Sequence, residues 1–186
     1  MEAEILNRYI IMTGFESSKI KDVEALLRGM QKKVGGRGYI QLLDARLVAG
    51  PEHLYFATLN ALKAFERGFN ISRNLAVEVL LFASAQHQID KAIELIGIKP
   101  GLSDVAVVVI ADSRSEAVKI LEEASRMLSG KRRDSVLNMN EKKAEAIKEA
   151  FKITDLEVEA ASRDVPTTET LTSLVIERMA LLPAKR

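Results

Sequence analysis

The sequence predicts an α/β (α+β) fold, in which a mixed sheet of about four to five strands is covered by helices. Three observations support this class. Apolar strand-like runs alternate with segments of helical period, one helix in the middle of the chain is apolar on nearly every side, and a strand candidate arrives late in the sequence. The late strand favours a mixed sheet over a purely parallel one. The length of 186 residues and the 47% hydrophobic content predict a single domain over 1–186.

The first half of the chain alternates strands with helices. Residues 8–14 are rich in Tyr and Ile and stop at glycine, which predicts a short strand. Residues 19–33 carry one apolar face and predict a helix. Residues 39–48 form the next strand candidate, which Gly50-Pro51 ends before a long helix over 52–67.

The centre of the chain predicts two consecutive helices and a buried strand. The first helix starts near Leu75, with Ser72 as its expected N-cap, and only Glu78 interrupts its apolar surface. A helix on which nearly every position is apolar is packed from several directions. The second helix has its apolar residues at 89, 92, 93 and 96, and a continuous apolar run at 104–111 predicts the strand that follows.

The last third predicts three helices and one further strand. A helix over 115–128 precedes a basic, exposed loop at 129–140, and Asn140 is a good N-cap for a helix over 141–151. Alternating apolar and charged residues at 153–160 indicate a strand. The final helix runs from Pro166 to about Leu182.

The final helix has more apolar surface than a surface helix needs. Its apolar residues cover roughly 260° of a helical wheel, against the stripe of about 100° that packing on one side requires. They are Leu171, Leu174, Val175, Ile176, Met179, Ala180, Leu181 and Leu182. Either the helix is inserted between the sheet and another helix, or it buries one face on its own domain and another against a partner protein.

No arrangement of reactive residues points to catalysis. The chain has no cysteine, its two histidines, His53 and His87, fall on different predicted helices, and no Walker, GxGxxG or GxSxG spacing occurs. We therefore expect neither a cofactor nor a metal. Glu78 is expected to pair with a basic or amide group. The alternative is a small-molecule enzyme or ligand-binding domain with a pocket near Glu78.

The nearly neutral net charge means that RNA could bind only through a local basic patch. The 27 basic and 26 acidic side chains give a net charge of +1, so no global field attracts nucleic acid. Cations at positions 63, 67, 73, 91 and 99 lie near predicted helix ends, and those at 131–133 lie in the late loop. They could contact phosphate, but on charge alone a solvated surface is favoured, because acidic residues balance the total. The absence of a signal-peptide pattern or membrane-length apolar run predicts a cytoplasmic protein with no membrane contact.

Three stretches resemble the small regulatory, kinase-binding subunits of the archaeal and eukaryotic KEOPS (EKC) complex. They are LLDARLVAGPEHLYFATLNALKAFERG, the central VEVLLF followed by ASAQHQIDKAIELIGI, and LVIERMALL near the end. The resemblance covers nearly the whole chain. It implies a non-catalytic protein that binds and activates the small atypical kinase of the complex, within the machinery that installs threonylcarbamoyl-adenosine in tRNA.

The resemblance also implies two sets of contact residues. The C-terminal helix of the family docks on the kinase, which here implies Leu171, Leu174, Val175, Arg178, Met179 and Leu182. Archaeal members bind the single-stranded 3′ CCA end of tRNA, which here implies Lys63, Asn70, Ile71, Arg73, Asn74, Gln88, Ile89 and Ala92. Where the family commonly reads Ser-Gly-x-Arg-Gln-Ile, this chain has Ala85 and His87 in place of the glycine and the arginine. A histidine supplies the missing charge only when it is protonated.

Overall fold

The structure is a computed structural model that describes residues 1–162 and 165–182. Within these ranges the chain forms five strands and eight α-helices. The strands are β1 Glu2–Ile5, β2 Arg8–Ile20, β3 Gly38–Asp44, β4 Gly101–Ala111 and β5 Lys131–Arg132. The helices are α1 Val23–Val34, α2 Pro51–Arg67, α3 Leu75–Ser84, α4 Ile89–Ile96, α5 Arg114–Met127, α6 Glu141–Phe151, α7 Asp155–Ala161 and α8 Thr167–Ala180.

The strands form one sheet in the order β1-β2-β4-β3, with β5 pairing beside β1 on the same edge of β2. The α/β class, the strand number and the helical covering are therefore as predicted. The mixed sheet is not, because every described strand pairing is antiparallel. Strands β2 and β3 both run antiparallel to β4, so they run parallel to each other. With α1 between them in the chain, they form a βαβ unit split by β4.

Helices cover both faces of this sheet and create two apolar cores. Alternate residues of β4 point to opposite faces, so Val107 and Val109 enter the core beneath α1 and α5, while Val108 and Ile110 enter the core beneath the remaining helices. Because both faces are buried, the whole run at 105–111 is apolar even though its neighbours are antiparallel.

Helix α3 is the predicted central helix, and only the half-buried Val77 among its ten residues retains appreciable exposure. Its N-cap is Asn74, whose side chain accepts from the Ala76 amide, rather than the predicted Ser72. Glu78 is enclosed, and its carboxylate accepts the backbone N–H groups of Ile71 and Ser72 at 2.8 to 3.2 Å. The predicted pairing with an amide group is confirmed.

One predicted strand is absent and one observed strand was not predicted, each for a local reason. Residues 153–160 do not form a strand, because Thr154 and Glu157 make a capping box that starts α7. Strand β1 was missed because its turn has no glycine. Leu6 and Asn7 both adopt positive φ, 49° and 61°, which is the two-residue turn that fits the twist of a hairpin.

The basic loop is partly ordered by β2. Its first residues pair with β2 as β5, and a 3₁₀ turn at Asp134–Leu137 packs over Gly14. A Cβ on Gly14 would lie 2.3 Å from Val136 Cγ2, so only glycine permits this approach. Arg133 pairs with Glu16 at 2.8 Å, and Arg132 donates to the Thr13 hydroxyl at 2.9 Å. The two arginines thus hold the segment in place.

Candidate functional site

The final helix, α8, is inserted into its own domain. It packs against α2, α3, α6 and α7. Five of the six side chains assigned to kinase docking are buried by this chain alone: Leu171, Val175 and Met179 at 0%, Leu182 at 2% and Leu174 at 8% exposure. The wide apolar arc is therefore explained by packing from several sides, and it gives no reason to place a partner on these residues. A direct contact there would require them to leave the core.

Arg178, the sixth residue of that set, is half-buried and already engaged. Its guanidinium donates to the carbonyl oxygens of Phe151 and Lys152 at the end of α6, at 2.8 and 3.0 Å. It also pairs with Glu157 of α7 at 2.9 Å. Hydrogen bonds lower the pKa of Glu157 to about 2. In decreasing order of effect, they come from the Thr154 amide, the Arg178 guanidinium and the Thr154 hydroxyl. Arg178 thus holds α6 and α7 against α8. It thereby keeps the surface around α8 in one arrangement.

The outer face of α8 is a different set of residues. Glu169, Ser173, Glu177 and Ala180 are exposed and follow a spacing of four, four and three, so they form one stripe. Leu181 is 44% exposed at its end, and Leu156 of the neighbouring α7 is 76% exposed. The hydrophobic pattern does not select this stripe, since its members are small or charged. Small side chains in such a stripe let a second backbone approach closely.

Most residues assigned to tRNA binding precede or follow α3 in the chain, with Ile89 and Ala92 in α4, while Lys63 lies in the last turns of α2. Asn74 caps the N-terminus of α3, whereas Gln88 follows its C-terminus. Ten helical residues, about 15 Å, separate the two groups. Ile71 and Ile89 are 39% and 40% exposed. Ala92, in contrast, is completely buried and can act only by positioning α4.

The cations near these two groups are free of salt bridges. In the described part of the chain, none of the thirteen ion pairs involves Lys63, Arg67, Arg73, Lys91 or Lys99. Unpaired surface cations can contact phosphate without first breaking an intramolecular pair. Arg132 and Arg133 of the late loop, in contrast, are already paired with Asp134 and Glu16.

Two adjoining grooves border the α3–α4 connection. The larger, about 660 Å³, runs between α4 and α6 and carries Lys91, Lys99, Glu94 and Glu149 on its walls. The smaller, about 300 Å³, lies between residues 84–87, the end of α6, and α8. Its lining includes His87, Lys152 and Arg178 but no carboxylate, and the Nε2 atom of His87 is buried without a hydrogen-bond partner among residues 1–162 and 165–182. Lys152 and Arg178 therefore place two cations at this smaller groove, of which Arg178 is paired with Glu157.

The Ser84–Ile89 motif is held in an unusual backbone shape. Ala85 has φ of +52°, in the left-handed region, and its N–H donates to Phe82 as the C-cap of α3. This is the position at which the family resembled above commonly has glycine. The positive φ accounts for that glycine, because alanine is strained there and glycine is not. The chain keeps the turn despite the substitution.

His53 and Glu78 are structural groups. The Nδ1 atom of His53 accepts the Ala49 amide at 3.0 Å, so Nε2 carries the proton and donates to the Ala83 carbonyl at 2.8 Å. Burial lowers the pKa of His53 to about 4 and keeps the ring neutral. Glu78 is equally enclosed and holds the α2–α3 connection, so the alternative of a ligand pocket at Glu78 gains no support.

A metal site or a membrane helix is not found in 1–162 and 165–182. No three histidine, aspartate or glutamate side chains there converge in a way that could hold a metal ion. No helix of these ranges has the length and apolar character needed to cross a membrane.

Comparison with known proteins identifies the family to which the chain belongs. Residues 18–183 match the family described as kinase binding protein CGI-121. The chain belongs to this family. A curated relative, the regulatory protein Cgi121 of Methanocaldococcus jannaschii, is 35% identical over 113 residues, which are 61% of this chain and 70% of the relative. CGI-121 membership agrees with the resemblance seen in the sequence, and it identifies a family of kinase-binding, regulatory proteins.

Proposed function

We propose that this chain is the non-catalytic subunit of the KEOPS complex that binds and activates its small atypical kinase. In this role it also recruits tRNA through the 3′ CCA end, supporting threonylcarbamoyl-adenosine modification. The observation that carries the proposal is the match to the kinase-binding CGI-121 family over 18–183, nearly the whole described chain. The free cations beside α3 support the RNA part.

The kinase is proposed to dock on the outer stripe of α8 rather than on its buried side. Glu169, Ser173, Glu177 and Ala180 are available without unfolding, and exposed Leu181 and Leu156 supply apolar contact beside them. Val175, Met179 and the other buried residues that the resemblance implies for docking then hold the helix in place. Such an interface joins small and apolar residues with two glutamates, so it suits a partner surface with cationic side chains at its rim.

Pull-down of the cognate kinase tests this face. Ala180→Arg places a long cation in the stripe and should lower kinase capture at least tenfold, because the close approach is lost. Leu6→Arg is the control, since Leu6 is also exposed but lies in the β1–β2 turn, outside α8. Equal capture by Ala180→Arg and the wild-type chain, with both folded by circular dichroism, would exclude the outer stripe as the docking face.

The tRNA end is proposed to lie across the cation-bearing surface between Lys63, Arg73 and the 84–89 motif. Reversal of the two charges in Lys63→Glu with Arg73→Glu should weaken tRNA binding and reduce its dependence on salt. Lys131→Glu provides a control at an exposed cation outside this surface. His87→Arg, which restores the family residue in the smaller groove, should strengthen binding. If tRNA lacking its CCA end bound as tightly as intact tRNA, recognition of the end would be wrong.

A further inference from the structure

Strand β3 forms one edge of the sheet, and most of that edge is open. Its inner edge pairs with β4 along Gly38–Asp44. On the outer edge, the described chain makes a single antiparallel bridge, between Leu43 and Gly97. Residues 38–42 therefore present backbone donors and acceptors with no neighbouring strand. An open edge of this kind accepts an additional extended segment through main-chain hydrogen bonds.

The open edge lies at the base of a slot between two helices. This β3 slot has a volume of about 340 Å³ and is walled by α1 on one side and by the start of α3 on the other. Leu27, Met30 and Val34 line the α1 wall, and Ala76 and Val77 line the α3 wall. An extended peptide directs successive side chains to opposite sides, so it would place alternate residues against these two apolar walls.

The walls also limit what can enter. A second sheet edge would bring its own covering helices into the space that α1 and α3 already occupy, whereas a single extended strand needs only about 5 Å beside β3. The slot therefore suits a peptide better than a second copy of this chain. Its floor spans Gly38 to Gln41, about four residues, or roughly 13 Å of extended chain.

The charges around the slot indicate the chemistry of that peptide. Arg37 lies between the lining residues Gly36 and Gly38, Arg73 directly precedes the lining residue Asn74, and no lining residue carries a carboxylate. The Arg37 guanidinium donates to the carbonyl oxygen of Val34 in the α1 wall at 3.0 Å, and neither arginine belongs to an ion pair among the described residues. Acidic residues at the two ends of a bound strand would meet this cationic rim.

We propose that the β3 slot binds an extended peptide segment of a partner protein, with alternating apolar residues and acidic flanks, as an additional strand on β3. No residue of α8 lines the slot, so this interaction is separate from the proposed kinase surface, and the slot meets the proposed tRNA surface at Arg73 and Asn74. The Gln41 side-chain amide donates to the Leu42 carbonyl at 2.9 Å, and an incoming backbone N–H could replace it.

Fluorescence anisotropy with a labelled heptapeptide, Asp-Val-Thr-Val-Thr-Val-Asp, tests the proposal on the full chain. Saturable binding is expected, and N-methylation of alternate peptide amides should weaken it at least tenfold because strand pairing is lost. Leu27→Glu should weaken binding to a similar extent by repelling the acidic peptide from an apolar wall. Leu6→Glu is the control, since Leu6 and Leu27 are 43% and 42% exposed.

Three results would overturn the proposal. They are no saturable binding of the heptapeptide, equal binding of the N-methylated peptide, or an unchanged affinity in folded Leu27→Glu. Binding of an RNA hairpin with a CCA end should be measured in the same way, because RNA is the alternative occupant of the slot. Asn74 at the slot and the neighbouring Arg73 are also assigned to tRNA. If this RNA bound in a Leu27-dependent manner while the peptide did not, the slot would be an RNA site.

Discussion

At the residue scale, Ala85 connects the fold to the family motif. An L-residue in the left-handed region costs roughly 1 kcal/mol relative to glycine. Ala85→Gly should therefore raise the free energy of unfolding by about that amount, measured by urea denaturation. Ala25→Gly, on an exposed ordinary helical position of α1, should instead lower it by about 0.5 to 1 kcal/mol. A loss of stability in Ala85→Gly would show that the turn is not strained.

His53 makes the protein sensitive to acid. Its pKa of about 4 in the folded state lies below the ordinary value of 6.5, so between these values the unfolded chain binds a proton that the folded chain does not. Stability from this group is complete above pH 6.5 and is lost as the pH falls toward 4, by on the order of 3 kcal/mol. Urea titrations across this range should show this loss, and it should largely disappear in His53→Gln. An equal slope in both proteins would contradict the assignment.

Several residue-level roles were predictable because one residue departs from its surroundings. Glu78 is the only charge on an apolar helix, which predicts pairing with a basic or amide group, and the structure shows the amide pairing. The cap at Asn74 was not predicted, because Ser72 and Asn74 are equally good cap residues by type and only the path of the α2–α3 connection separates them.

At the element scale, α8 shows what a helical wheel can and cannot determine. The wide apolar arc correctly indicates packing on more than one side, but it does not say whether the second neighbour belongs to the same chain. Here α2, α3, α6 and α7 supply those neighbours. A partner surface on α8 must then be sought among residues that a hydrophobicity pattern does not highlight, such as Ser173 and Ala180.

Charge substitutions on the two sides of α8 should separate folding from docking. Val175→Asp buries a carboxylate at a position with 0% exposure and should lower the free energy of unfolding by more than about 3 kcal/mol. Ser173→Asp, on the exposed stripe, should change it by less than about 0.5 kcal/mol. Thermal denaturation of both variants checks this. Comparable stability in the two would mean that α8 leaves the core easily, and it would reinstate its buried side as a docking face.

At the scale of the whole molecule, the order of elements was largely predictable and the strand directions were not. The helical period of α2 and the continuous apolar run of β4 predicted these two elements correctly. Strand direction depends on which strands become neighbours, and the insertion of β4 between β2 and β3 is set by tertiary packing. The mistaken strand at 153–160 then led to a mixed sheet, because an alternating pattern over eight residues does not distinguish a short capped helix from a strand.

The function could be inferred from the sequence mainly through an extended resemblance, since the chain has no catalytic signature. The structure shows that four apolar residues of α8 and the following Leu182 are buried in the core, whereas the cations beside α3 are free of described ion pairs and a groove borders residues 84–87. Arg178 and Leu182 line the same groove as His87, so the 84–89 motif lies against the C-terminal end of α8.

The central claim is that this chain binds the small atypical kinase of its own cell. Isothermal titration of the purified kinase with the wild-type chain measures this directly. We expect a saturable one-to-one complex, and we expect Ala180→Arg to weaken it at least tenfold while Leu6→Arg leaves it unchanged. A folded wild-type chain that shows no saturable binding to the kinase would contradict the account.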